Sequence, residues 1–108
     1  MLIKTPTEFK TFENGVCEVW TSKRNKPDAL VCKLHYGDQT VTYKRYYQAR
    51  AAQTRIDRVI RVPYRDDIQD NQLVKLRGLF YSIEQSQPIR NTNPGITVLT
   101  LKRLEVQP

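Results

Sequence analysis

Leu73-Val74-Lys75-Leu76-Arg77-Gly78-Leu79-Phe80-Tyr81-Ser82-Ile83-Glu84 reads as two short strands, 73–77 and 79–84, folded back on each other at Gly78. Leu79, Tyr81 and Ile83 alternate with Phe80, Ser82 and Glu84. That is the period of two that sends successive side chains to opposite faces of a sheet.

The same character recurs on both sides. Residues 9–12 and 16–20 flank Glu13-Asn14-Gly15, and Asn-Gly favours the positive φ angles of a tight hairpin turn. Residues 21–28 read as a polar loop punctuated by Pro27. Residues 29–36 carry Leu30, Val31, Cys32 and Leu34 and read as a strand, with Gly37-Asp38-Gln39 as the next turn. In 55–63, Ile56, Ile60 and Val62 share one side with Arg58, while Arg55, Asp57 and Arg61 share the other with Val59. Residues 64–71 form a polar connection. Residues 85–95, with Pro88, Asn91, Asn93, Pro94 and Gly95, read as a long loop before a last strand over 96–106.

Residues 43–53 break the pattern. They hold Ala49, Ala51 and Ala52 and no Gly or Pro, and Tyr43, Tyr46 and Tyr47 sit at i, i+3 and i+4 on one helical face. Lys44, Arg45 and Gln48 fall on another, and Thr40 or Thr42 is placed to cap the start. The fold expected is mainly β: a small β-barrel of six to seven strands with one inserted short helix and long loops. Closure removes the edge strands that invite aggregation. Trp20, Leu34, Ile60, Tyr81, Ile83 and Leu99 are the expected core.

A chain of 108 residues predicts one domain spanning 1–108, with a modest core. Its 39% hydrophobic and 27% charged residues are ordinary for a folded protein. No apolar run approaches the roughly 20 residues of a membrane-spanning helix. Residues 1–8 lack the apolar stretch of a signal peptide, so a cytosolic protein is expected.

No catalytic constellation assembles. His35 is the only histidine and is flanked by strand residues Leu34 and Tyr36. No G-x-S-x-G, P-loop or Gly-rich phosphate cradle is present. Cys17 and Cys32 with one histidine are too few for a four-ligand zinc site. They are expected as reduced, half-buried thiols, with a disulfide between neighbouring strands left open. Asp66, Asp67 and Asp70 have the chemistry to hold a divalent cation, but such clusters are more often solvated turns. The expectation is a protein that is not an enzyme, with no catalytic residue, no cofactor and no metal.

The charge distribution is the strongest functional signal. Of the net +7, the 22 residues from Lys44 to Arg65 contribute +6: Lys44, Arg45, Arg50, Arg55, Arg58, Arg61 and Arg65 against Asp57 alone. Such a local field attracts phosphates, anionic lipid or an acidic partner surface. Tyr43, Tyr46 and Tyr47 open the window, and arginine with aromatic residues is enriched in both nucleic-acid channels and protein interfaces. These tyrosines are candidates for a helix-face interface.

The order of motifs resembles the phage head–tail joining proteins, the head–tail adaptors or head-closure proteins of long-tailed bacteriophages. The resemblance runs through Gly15-Val16-Cys17-Glu18-Val19-Trp20, Tyr46-Tyr47-Gln48-Ala49-Arg50-Ala51-Ala52-Gln53, Arg61-Val62-Pro63-Tyr64-Arg65, Arg77-Gly78-Leu79-Phe80-Tyr81-Ser82-Ile83, and Leu99-Thr100-Leu101-Lys102-Arg103-Leu104. One departure is that many members carry an acid before the helix aromatic, where this chain has Lys44 and Arg45. The resemblance implies a barrel with an inserted helix, synthesised in the host bacterial cytoplasm and assembled into the virion neck. The subunit would be monomeric when free and form a ring (a dodecamer) between the portal or adaptor ring and a tail-completion or tail-terminator protein. The ring would continue the channel for double-stranded DNA, help retain packaged DNA and have no membrane partner. Phosphate contacts need only Lys and Arg, without base readout. The competing reading is a monomeric nucleic-acid-binding barrel, OB-like or Tudor-like, stacking bases on the three tyrosines. Within the head–tail reading, the alternative for the basic window is a solvated face or an acidic-partner interface with no DNA role.

Overall fold

The computed structural model describes residues 11–24, 26–39 and 56–107. They form β1 (Gly15–Lys23), β2 (Lys26–Asp38), β3 (Arg58–Pro63), β4 (Leu73–Leu76), β5 (Leu79–Ile89) and β6 (Ile96–Arg103). The strands pair antiparallel in the order β1-β2-β3-β6-β5-β4, and β4 returns to β1 to close a barrel. The fold is therefore mainly β, a closed barrel of six strands. The helix expected over 43–53 lies outside the described residues, and among those residues there is no helix.

The β4–β5 hairpin turns where the sequence places it. Arg77 at φ 49° and Gly78 at φ 82° make the two-residue turn with both φ positive that matches the twist of the strands it joins.

Three expectations are corrected. The Asn-Gly hairpin does not form: Gly15 already pairs with Tyr36, and residues 11–14 belong to no strand. Residues 21–23 and 26–28 are paired strand at the end of the β1–β2 hairpin rather than a loop. Lys23 pairs with Lys26, and Thr21 holds Ala29 through hydrogen bonds of 2.9 and 3.3 Å across a bulge. Residues 85–89 extend β5, with Gln85 opposite Thr100 through to Ile89 opposite Ile96, so only 90–95 form the loop. Polar composition misled in both places, because these stretches are held by backbone pairing and expose their side chains.

The core gathers Cys17 and Val19 from β1, Ile60 and Val62 from β3, Ile83 from β5, and Leu99 and Leu101 from β6. Ile68 enters it from the connection between β3 and β4. Each such aliphatic side chain contributes about 1.5–3 kcal/mol by leaving water. Ile60, Tyr81, Ile83 and Leu99 are buried as expected, and Leu34 is half-buried against the core.

Trp20 is not in the core. Val19 and Val74 oppose each other at 0% exposure, so the inward phase of β1 falls one residue earlier. Trp20 lies on the outer face opposite Leu73, and its Nε1 donates to Glu18 Oε1 at 3.0 Å.

β6 is buried on both faces from Ile96 to Leu101. Its outward Ile96 and Val98 join Val59 in a second cluster covered by Phe12, Ile56 and Ile89. Val59 therefore does not belong to an open polar face.

Closure rests on the narrowest pairing in the barrel. β2 meets β3 only at Gly37–Arg61 and Asp38–Ile60. Gly37 is there because nothing larger fits: a Cβ would lie 2.5 Å from the Thr11 carbonyl oxygen and 2.9 Å from the Arg61 guanidinium. Gly37→Ala is expected to destabilise the fold by about 1–3 kcal/mol, the usual range for forcing an added methyl into a packed site. Urea denaturation checks this through a lowered midpoint; an unchanged midpoint would show that the clasp has room to move.

Candidate nucleic-acid interface

Three members of the basic window lie in the described structure, and each has an internal partner. Arg58 projects from the first residue of β3 toward the end of β2. Its Nε and Nη2 donate to Asp38 Oδ1 at 3.3 and 2.9 Å, and its guanidinium lies 5.5 Å from the centroid of the Tyr36 ring. Burial works against its charge, but the hydrogen bond and charge of Asp38 outweigh that and raise its pKa.

Arg61 faces the other way and clasps three segments. Nε donates to the Thr11 carbonyl at 2.9 Å, Nη1 to the Asp38 carbonyl and, at 3.4 Å, to Gln39 Oε1, and Nη2 to Thr11 Oγ1 at 3.5 Å. A planar fork with several fixed donors suits this task, and an ammonium does not. Around it, Asp38 N–H donates to Asn14 Oδ1 at 3.0 Å, Asn14 N–H to the Tyr36 carbonyl and Gln39 N–H to the Val59 carbonyl, both at 2.9 Å.

Arg65 forms a two-pronged pair with Asp67, Nε to Oδ1 at 2.8 Å and Nη2 to Oδ2 at 2.7 Å. The hydrogen bond from Arg65 holds the Asp67 carboxyl below its ordinary range and raises the guanidinium pKa in turn. Both side chains are more than a third exposed, so water screens the pair and its net contribution is small.

The remaining candidates, Lys44, Arg45, Arg50 and Arg55 with Tyr43, Tyr46 and Tyr47, lie outside the described residues. Of the window's three described arginines, Arg58 and Arg65 are paired with carboxylates and Arg61 is held on uncharged oxygens. Sequence reasoning missed Thr11, Asn14 and Gly37, whose roles arise from where β2 ends against β3.

The carboxylates of the acidic turn separate. Asp66 accepts from the Tyr64 hydroxyl, Asp67 from Arg65, and Asp70 from Ser86 N–H and Oγ at 2.8 and 3.1 Å. Among the described residues no group of three or more His, Cys, Asp or Glu is gathered as a metal site. No helix among them is long and apolar enough to cross a membrane.

Cys17 and Cys32 are free thiols on neighbouring strands. Cys17 pairs with Leu34 and Cys32 with Val19, so the two sit one diagonal step apart on the inward face. Burial, with a smaller push from Cys32, raises the Cys17 thiol to about 12. Burial also raises Cys32, though the Arg65 charge opposes it.

No protein-family model matches the chain, and no curated protein matches its sequence.

Two outcomes follow from these contacts. Arg61→Lys removes most of the fork and is expected to cost about 1–2 kcal/mol in chemical denaturation, with less than a twofold change in affinity for duplex DNA. A large loss of DNA binding at unchanged stability would return Arg61 to the interface. For the thiols, native protein at pH 8 is expected to take up one equivalent of iodoacetamide slowly, at Cys32, and two in denaturant, read by mass spectrometry. Because the folded Cys17 pKa is raised, its contribution is fully present below the unfolded thiol pKa of 9.0 and is lost as pH rises toward about 12.

Proposed function

We propose that this chain is a neck protein of a long-tailed bacteriophage, a head-closure or head–tail joining subunit. Copies form a ring between portal and tail that continues the DNA channel and helps retain the packaged genome in the virion. The observation that supports this reading is the closed six-stranded barrel, in which four of the five segments of the resemblance follow in order, while the fifth, Tyr46 to Gln53, lies outside the described residues. Gly15 to Trp20 lies in β1, Arg61 to Pro63 ends β3, Arg77 to Ile83 forms the β4–β5 turn and strand, and Leu99 to Arg103 lies in β6.

The proposed channel contact is Lys44, Arg45, Arg50 and Arg55, for their concentration within residues 44–55, and the internal ties of Arg58, Arg61 and Arg65 are compatible with that choice. A ring repeats these four charges around one duplex, so weak contacts in each subunit add without any base readout. A modest core also fits a subunit that gains stability from assembly.

The test is replacement of all four residues by Ser. The barrel is expected to fold normally, while filled heads leak DNA or fail to close. Heads that retain their genomes and join tails normally would refute the channel contact. The free subunit is expected to bind duplex DNA weakly, with affinity falling linearly on a log–log plot against salt. Salt-insensitive, sequence-selective binding by a subunit that stays monomeric with portal rings would favour the OB-like or Tudor-like reading instead.

A further inference from the structure

The outer face of β1, β4, β5 and β6 carries a feature that the ring reading does not use. Trp20 pairs with Leu73, Leu73 with Ser82, and Ser82 with Lys102, so one residue from each strand stands in a lateral row. Beside this row stand Ser22 and Arg24 from the end of β1, and residues 104–106 that follow β6. Between them lies a cleft of about 680 Å³ with Leu73 and Ser82 in its lining.

We infer that this cleft is a docking groove for an extended segment of a partner protein, one that carries carboxylates beside an apolar side chain. The inference does not depend on the ring reading. Its first support is charge. Arg24, Lys102 and Arg103 line the cleft together with Glu84 and Glu105. Among the described residues none of these five side chains has an ion-pair or hydrogen-bond partner. Arg58, Arg61 and Arg65, by contrast, are all tied internally.

The second support is that the walls are already built. Gln107 accepts from Phe80 N–H at 2.7 Å and donates to the Phe80 carbonyl at 3.0 Å and the Leu104 carbonyl at 2.9 Å, which fixes residues 104–107 against β5. Arg103 N–H donates to Asp57 Oδ2 at 2.7 Å. Arg24 follows the last residue of β1 with a φ of 55°. A groove fixed before binding loses little freedom when it is filled.

The third support separates peptide from nucleic acid. Two carboxylates in the walls oppose a polyphosphate, whereas in a peptide complex they accept from backbone N–H groups. The three cations take the peptide's acidic side chains. Val106, 83% exposed, and Leu104 offer an apolar contact that a phosphate backbone has no use for. An extended segment alternates its side chains, so acidic and apolar groups reach different walls at a rise of about 3.3 Å per residue.

The test uses the full chain and the fluorescein-labelled peptide acetyl-Asp-Leu-Asp-Phe-Glu-Gly-amide. Fluorescence polarisation is expected to show saturable binding, and amide shifts are expected at Ser82, Glu84, Lys102, Leu104 and Val106. The double variant Lys102→Glu/Arg103→Glu is expected to weaken binding at least tenfold, and Lys33→Glu, outside the cleft, less than twofold. The same peptide with its three acids made amides should also bind the parent at least tenfold more weakly, an arm that needs no folded variant. Failure of the acidic peptide to bind, shifts confined to other surfaces, or equal affinity for the neutral peptide would overturn the inference. Tighter engagement of the cleft by a 12-base-pair DNA duplex than by the peptide would overturn it in favour of nucleic acid.

Discussion

The barrel closes through two residue pairs, Gly37–Arg61 and Asp38–Ile60. β3 pairs along its length with β6 but reaches β2 only at Gly37 and Asp38, so the ring of strands depends on side chains at that seam. Arg61 spans it from one face, binding the carbonyls of Thr11 and Asp38, and Arg58 binds the Asp38 carboxylate from the other. Gly37 makes the arrangement sterically feasible by leaving room for the guanidinium. Charge-assisted bonds to backbone carbonyls are stronger than neutral ones, which suits a short seam with few ladder bonds.

This seam changes the meaning of the chain's most conspicuous composition. A run of seven cations reads naturally as a surface for an anion. In the described part, the charges serve the fold first: one arginine on a carboxylate and a ring face, one on carbonyls, one on a neighbouring aspartate. A guanidinium paired with a carboxylate, as in Arg58 and Arg65, presents a weaker field to an approaching phosphate, while Arg61 keeps its charge but has its donors turned to carbonyl oxygens. The proposed DNA contact is assigned to the remaining four basic residues of the window.

The same seam organises the packing beyond it. By holding Thr11, Arg61 keeps Phe12 over the outward residues of β6, where it joins Ile56 and Ile89 in covering Ile96 and Val98. β6 can therefore be apolar on both faces, which fits the central position its unbroken run Ile96-Thr97-Val98-Leu99-Thr100-Leu101 requires. On the opposite side of the barrel the outer face stays amphipathic, with Lys75 Nζ 5.6 Å from the Phe80 ring centroid and Trp20 tied to Glu18. The proposed groove belongs to that face.

Local sequence by itself determined the β class, the turn at Gly78 and the inward set Ile60, Tyr81, Ile83 and Leu99, because alternation and turn chemistry act over a few residues. It also marked the cations as unusual. What it did not determine was the phase of β1, where Val19 and Trp20 are both apolar and only pairing with Val74 sends Val19 inward. Nor did it reveal that residues 21–23, 26–28 and 85–89 are strand, since backbone pairing to another segment holds them despite polar side chains. The roles of Arg58 and Arg61 were decided by tertiary structure alone: their partners Thr11 and Asp38 are 20 to 50 residues away in sequence, and only barrel closure brings those oxygens within hydrogen-bond reach.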